Sequence, residues 1–409
     1  MKVAVIKVAK TAGDGIASLL LPKLAAKFES AVWEKNHLRE GWHHVTRESL
    51  KDRSLQPAIP NSTDRSLLLI HGTFSDAAGA FNGLATSTFF DKTAALYGDR
   101  IFAFNHFTVS RSPEDNARSL LASLPDKAFT FDVVTHSRGG LVIRTIVERA
   151  AAFGGLSRRF KLGRCVLVAS PNEGTPLASP ERWKDTVGWL ANILEMFPDN
   201  PFTFGAELVA NSLAWLARHA SGDLPGLYSM DGSGDVISDL QGPPDPPPDA
   251  YSALVSNYNP TTSVLQRLID TGVDQFFGSA NDLVVPAAGG WRVAQSVDRF
   301  VPGQRIGCFG PGGNIENDSV THLNFFSQSA TADFLNRALT GLAQPLVPID
   351  PRRTLPDRQL IRTTVGLTSV ILGSNPAFVA PSIAPGKSLL TVEGTGFSAA
   401  TPFISWCCH

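Results

Sequence analysis

The sequence predicts an α/β protein: a mostly parallel central sheet with flanking helices, interrupted by a helical insertion and followed by a small β-like C-terminal segment. Three observations predict it. Short apolar runs recur at residues 67–70, 100–104, 129–134, 165–169, 273–277 and 304–309, too short for helices and continuous enough for strands buried on both faces. Most of the intervals between them carry helix-like patterning, and strands that alternate with helices pair in parallel. The chain has 409 residues, 43% hydrophobic and 18% charged, enough to bury a large core.

The elements can be justified in order. The first 62 residues hold helix-like patches that supply either early strands or a cap. The run 67–70 ends at His71-Gly72, delivering a loop to a sheet edge. Ser112-Pro113-Glu114-Asp115 supplies an N-cap hydroxyl, a proline at the first helical position and an acid at the third, and opens a helix to about Leu124. Residues 140–151 place Leu141, Val142, Ile143, Ile146, Val147 and Ala150 on one broad face, as a helix lying on a sheet requires. A last helix is expected over residues 331–342. The sheet domain then spans 63–343, with an insertion at about 171–260 containing two apolar segments and the stiff run from Gln241 to Asp249. Residues 344–409 are rich in Pro and Thr, and Leu389 to Phe397 resembles the opening strand of immunoglobulin-like TIG domains.

Composition excludes several functions. Lys and Arg total 36 against 37 for Asp and Glu, so the chain lacks the basic excess of a nucleic-acid binder. The four cysteines have no metal-ligand spacing with histidine, and Asp231, Asp235 and Asp239 depart from a calcium-loop pattern, so neither a metal nor a cofactor is expected. No apolar stretch reaches a membrane-spanning length and no signal peptide is evident, which together with few cysteines predicts a cytoplasmic protein. The composition leaves the oligomeric state open.

The chemistry concentrates at Thr135-His136-Ser137-Arg138-Gly139-Gly140, between a strand and a helix. A serine in such a turn has its hydroxyl exposed above the sheet, with the next backbone N–H groups aimed at the same place. Gly139 occupies the second glycine position of G-x-S-x-G, and Thr135 stands at the first. A serine nucleophile needs a histidine base and a carboxylate to orient it, in the order serine, acid, histidine for this elbow. Of the histidines beyond the serine, His219 lies in the insertion and His409 ends the chain. His322 follows the last strand and a Gly-rich loop. Asp282 follows the run 273–277, whereas Asp274 starts that run and Asp270 precedes it. The alternatives are a turn-forming aspartate and an ordinary loop histidine. An oxyanion would be met by the N–H groups of Thr73 and Arg138, with Phe74 as the fallback donor. His71 is expected to fix this loop rather than to act as a base.

His71-Gly72, the Thr135-to-Gly140 turn, Asn281-Asp282 with Val285-Pro286, and Thr321-His322 together resemble the lipases and esterases of the α/β-hydrolase superfamily over residues 65–342. Ser170 to Ala178 is similar to the Pro- and Gly-bearing loop after the sixth strand of bacterial lipases. The resemblance implies hydrolysis of carboxylic esters through an acyl-enzyme, with a lid between strands six and seven. Trp183, Trp189, Ile193, Leu213 and Trp215 in the insertion are then expected to contact an acyl chain. The partner implied is a small-molecule or lipid ester, with transient contact at a lipid surface as the one membrane interaction. An amidase, thioesterase or polyester hydrolase would use the same residues, and a non-catalytic scaffold binding apolar ligands would share the fold.

Overall fold

The computed structural model describes residues 14–179, 224–242, 248–259, 279–341 and 346–356. Eight strands form one sheet: β1 (Gly41–His44), β2 (Gln56–Pro57), β3 (Ser66–Ile70), β4 (Ile101–Asn105), β5 (Phe129–His136), β6 (Phe160–Val168), β7 (Tyr251–Ser256) and β8 (Ile306–Phe309). Their order is β2-β1-β4-β3-β5-β6-β7-β8. The six strands from β4 to β8 run parallel, and β1 and β2 add an antiparallel edge. The fold class expected from the sequence is the one observed.

The central strands are apolar runs because both faces of the sheet are covered. Leu67, Leu68, Leu69 and Ile70 of β3 are fully buried, and successive residues feed opposite layers. Leu68 and Ile70 join Phe131, Val142 and Ile146 on one side, while Leu67 and Leu69 join Phe81, Phe89 and Phe334 on the other. The first layer is supplied by α5 (Pro113–Ser123) and α6 (Gly139–Glu148). The second is supplied by α3 (Ala77–Phe81), α4 (Phe89–Tyr97) and α9 (Ser329–Thr340). Four shorter or outlying helices complete the described chain: α1 (Asp14–Lys35), α2 (Arg47–Lys51), α7 (Pro225–Tyr228) and α8 (Asp235–Gln241). The capping box of α5 forms as its sequence predicts, with Ser112 Oγ accepting from Asp115 N at 3.1 Å and Asp115 Oδ2 from Ser112 N at 3.0 Å.

Two boundaries differ from the sequence expectation, while the N-terminal stretch takes the first of its two expected roles and contributes β1 and β2 to the sheet. β7 lies inside residues 171–260, so the connection from β6 closes at Ala250. Residues 346–356 pack on the body, with Ile349 and Leu355 buried and the Trp291 indole donating to Pro351 O at 3.1 Å. All described residues fall in the first of two units, residues 1–356; the second, 357–409, lies outside them together with the β-like run 389–397. The run 273–277 and the insertion residues Trp183, Trp189, Ile193, Leu213 and Trp215 also lie outside the described residues.

A buried polar network ties the layers together. Arg144 of α6 pairs with Glu148 one turn on, at 2.9 Å, and Tyr251 of β7 donates to the same carboxylate at 2.7 Å. Arg144 Nη2 also donates to Leu240 O, at 2.6 Å, and Asn172 Nδ2 reaches Gly290 O at 2.8 Å. A buried charge is tolerated only when its bonds are met in this way. The two sheet edges are finished differently. β2 is two residues long and exposed, and one of the two is Pro57. Beside β8 the Asn314 amide acts as a strand, accepting from Cys308 N at 2.8 Å and donating to Ile306 O at 2.9 Å.

Candidate active site

The turn between β5 and α6 contains only Ser137 and Arg138. Ser137 has φ of +53°, a left-handed conformation that is uncommon for a residue with a side chain. The turn is held from both sides. Ser137 N donates to Val168 O at 2.9 Å, extending the pairing with β6, and Gly140 N donates to Ser137 O at 2.9 Å, starting the helix. The close approach requires glycine: a Cβ on Gly139 would lie 2.4 Å from Ile70 O, and one on Gly72 would lie 2.6 Å from Ser137 Cβ. Thr135, in place of the first glycine, fits inside the sheet with its hydroxyl 3.4 Å from Val166 O.

Asp282 and His322 come together although they are 40 residues apart. Asp282 lies in a tight loop, where its Oδ1 accepts from Val284 N at 2.9 Å and Val285 N at 2.7 Å. The loop is stitched to the end of β7 by Tyr258 N, which donates to Asn281 O at 3.0 Å. With Oδ1 occupied, Oδ2 faces His322 Nδ1 at 2.8 Å, and His322 N donates to Asp282 O at 2.9 Å. A carboxylate at Nδ1 makes that nitrogen the donor and leaves Nε2 of a neutral ring as an acceptor. Both side chains are buried, so this bond works in a low dielectric.

His136 connects the two halves. Its Nε2 donates to His322 O at 3.0 Å, and the two rings lie 4.8 Å apart. Ser137, next in the chain, is therefore carried to the edge where His322 sits; its hydroxyl and the His322 ring make no hydrogen bond to each other in this structure. Burial holds the His136 imidazole well below its ordinary range, so it stays neutral. Sequence reasoning passed over His136, and its adjacency to the serine was the available signal.

The loop after β3 lies against the serine through Gly72. His71 holds it as expected: Nδ1 donates to Gly72 O at 3.0 Å and Nε2 accepts from His106 N at 3.1 Å. Burial pushes its pKa down to about 3, so the ring is neutral and free to hold the loop through one donor and one acceptor nitrogen. Phe74, at φ of +55°, donates its N–H to Thr108 Oγ1 at 3.1 Å. Among the described residues neither the Thr73 nor the Arg138 N–H has an internal acceptor. The Arg138 side chain turns away to Gly226 O at 2.8 Å and to Ser229 Oγ at 3.2 Å, and burial lowers its pKa to about 10.

Asp239 pairs with Arg149 at 2.8 Å and Asp231 accepts from Ser233 N at 3.1 Å; among the described residues no group of acids, histidines and cysteines could hold a metal. No helix among them is long and apolar enough to cross a membrane.

No curated protein matches the chain. Among solved structures it is similar to lipase 1 from Pelosinus fermentans, at 13% identity and a TM-score of 0.44, over 70% of this chain and 100% of that one. The mature lipase BlEst2 of Bacillus licheniformis matches at 13% identity and a TM-score of 0.36, over 69% of this chain and 95% of that one. A metagenomic carboxyl esterase, MGS0156, matches at 16% identity and a TM-score of 0.33, over 70% of this chain and 76% of that one. A family model described as a domain of unknown function, DUF7379, matches residues 34–340, and the chain belongs to that family.

Proposed function

We propose that the protein is a serine hydrolase of the α/β-hydrolase type that cleaves carboxylic esters of lipophilic acyl groups. The observation that carries this reading is the 2.8 Å bond from His322 Nδ1 to Asp282, formed beside a serine in a left-handed strand-to-helix turn. In the proposed reaction Ser137 Oγ attacks the ester carbonyl while His322 Nε2 takes the hydroxyl proton. The free N–H groups of Thr73 and Arg138 receive the developing oxyanion, and His322 returns the proton to the leaving alcohol. Water, deprotonated by the same ring, then releases the acid and restores Ser137. Asp282 keeps the imidazole in the acceptor tautomer and stabilises its charge as the proton arrives. Trp183, Trp189, Ile193, Leu213 and Trp215 are the residues proposed to line the acyl-chain path.

The test is peptide mapping after treatment with a fluorophosphonate, which needs no knowledge of the natural ester. A single adduct on Ser137, absent in Ser137→Ala, supports the reading. A folded protein that takes no adduct, with or without detergent, overturns it.

A further inference from the structure

The family match begins at residue 34, and upstream of it α1 docks on the turn after β4, which in turn touches the loop facing the serine. Its Glu29 is 2% exposed, and its carboxylate is enclosed by the turn after β4. Oε1 accepts from Thr108 N and Val109 N, each at 2.8 Å, and Oε2 accepts from Ser110 N at 2.8 Å and from Ser110 Oγ at 2.5 Å. Thr108 Oγ1 lies 3.5 Å from Glu29 Oε1 and itself accepts the Phe74 N–H at 3.1 Å. One turn along α1, the Trp33 ring meets Phe107 edge-on at 5.1 Å and lies 6.3 Å from His71, which grips the other end of the same loop.

A lone threonine could turn its hydroxyl proton anywhere. A carboxylate beside it draws that proton, so the oxygen lone pairs face Phe74 N. That bond holds a residue with a side chain at positive φ, an unfavourable conformation that persists only where the surroundings impose it. The Thr73 N–H lies one peptide unit further back, in the link from Gly72 to Thr73.

We propose that α1 braces the oxyanion loop: Glu29, acting through Thr108, fixes the Phe74 N–H and thereby aims the Thr73 N–H at the reacting carbonyl. Glu29 and Thr108 are positioning residues that touch no substrate. The catalytic consequence rests on the serine-hydrolase reading; the brace itself does not.

The experiment compares full-length wild type with Thr108→Val, Thr108→Ser and Glu29→Gln. Amide exchange of the peptide covering residues 72–76 reports the brace, and fluorophosphonate labelling of Ser137 and ester kinetics report its effect. Thr108→Val should exchange at least about fivefold faster there and lose about tenfold in labelling rate and kcat, with KM within about twofold, because a donor moved off line loses part of the 10²–10³ that its deletion costs. Thr108→Ser should restore both, and Glu29→Gln should follow Thr108→Val. Unchanged exchange in Thr108→Val overturns the brace whether or not Ser137 reacts. Faster exchange with unchanged labelling and kcat overturns the positioning role and leaves the hydrolase reading intact. If wild type takes no adduct, the hydrolase reading has failed, and the exchange rates alone then uphold or overturn the brace.

Discussion

Replacing Asp282 by asparagine isolates the orientation of His322 from the packing around it. The amide oxygen can keep the bonds from Val284 N and Val285 N, which hold Oδ1 at 2.9 and 2.7 Å. The amide nitrogen then stands where Oδ2 was, 2.8 Å from Nδ1, and presents N–H to N–H. The ring relieves that contact by moving its proton to Nε2, the nitrogen proposed to accept from Ser137. A base held in the wrong tautomer costs roughly 10⁴ in kcat in serine hydrolases, or about 5.5 kcal/mol at about 1.4 kcal/mol per tenfold. Stability should fall by much less, about 1–3 kcal/mol for one charge-assisted bond. Asp282→Ala, by contrast, also strands the buried Val285 N–H and the half-buried Val284 N–H and should lose further stability, about 1–3 kcal/mol for the buried one. The assay is steady-state hydrolysis of a short-chain nitrophenyl ester, with urea unfolding of each variant. A folded Asp282→Asn protein retaining kcat within about tenfold of wild type would refute the tautomer argument, and with it the assignment of His322 as the base.

Acid should destabilise the fold through three histidines. Burial pushes His71 to about 3 and holds His106 and His136 well below 6.5, so each folded ring is neutral where the unfolded one begins to charge. Depressed imidazole values mean that the unfolded state binds more protons: stability is full above about 6.5 and is lost as pH falls toward the folded values. Up to three protons give a slope approaching about 4 kcal/mol per pH unit near pH 5, eased by Asp76, whose buried carboxyl is raised and acts with the opposite sign. Urea midpoints that do not change between about pH 7.5 and pH 5 would contradict this. For the turn itself, Gly139→Ala places a methyl 2.4 Å from Ile70 O and 2.7 Å from His71 O, neither of which can yield. It should cost at least about 2 kcal/mol and slow labelling of Ser137, while Gly155→Ala, with nothing within 4 Å, should stay within about 0.5 kcal/mol; equal unfolding midpoints would remove the packing argument.

What the sequence disclosed follows from how locally each feature is determined. β3, β4, β5 and β8 are short apolar runs buried on both faces, and the start of α5 is fixed by four adjacent residues. The approach of His322 to Asp282 was legible because a strand-to-helix serine turn of this kind suggests an order, serine then acid then histidine, in which partners follow. β7 was missed for the converse reason. Its sequence, Tyr-Ser-Ala-Leu-Val-Ser, hides two polar ends whose bonds run to distant residues, Tyr251 to Glu148 and Ser256 Oγ to Val320 O at 2.6 Å. β1, Gly-Trp-His-His, carries no apolar run because it lies near an edge. Glu29 was invisible as well: nothing about a glutamate in a helical patch reveals that backbone amides 79 to 81 residues away will enclose it.

The finishing of the sheet edges bears on how the protein behaves when crowded. Strand-to-strand pairing between copies needs an open row of backbone donors and acceptors. On one side that row is two residues long and Pro57 supplies no N–H; on the other, the Asn314 amide already occupies the positions a visiting strand would take. A sheet of six parallel strands assembles slowly, because each pairing must wait for a long crossover to close. Once both ends are sealed, the sheet of the described residues offers a neighbour little to extend. Pairing between copies through this sheet is therefore concentrated in the interval before β2 and Asn314 reach their places, an interval that expression temperature governs and the storage concentration of folded protein does not.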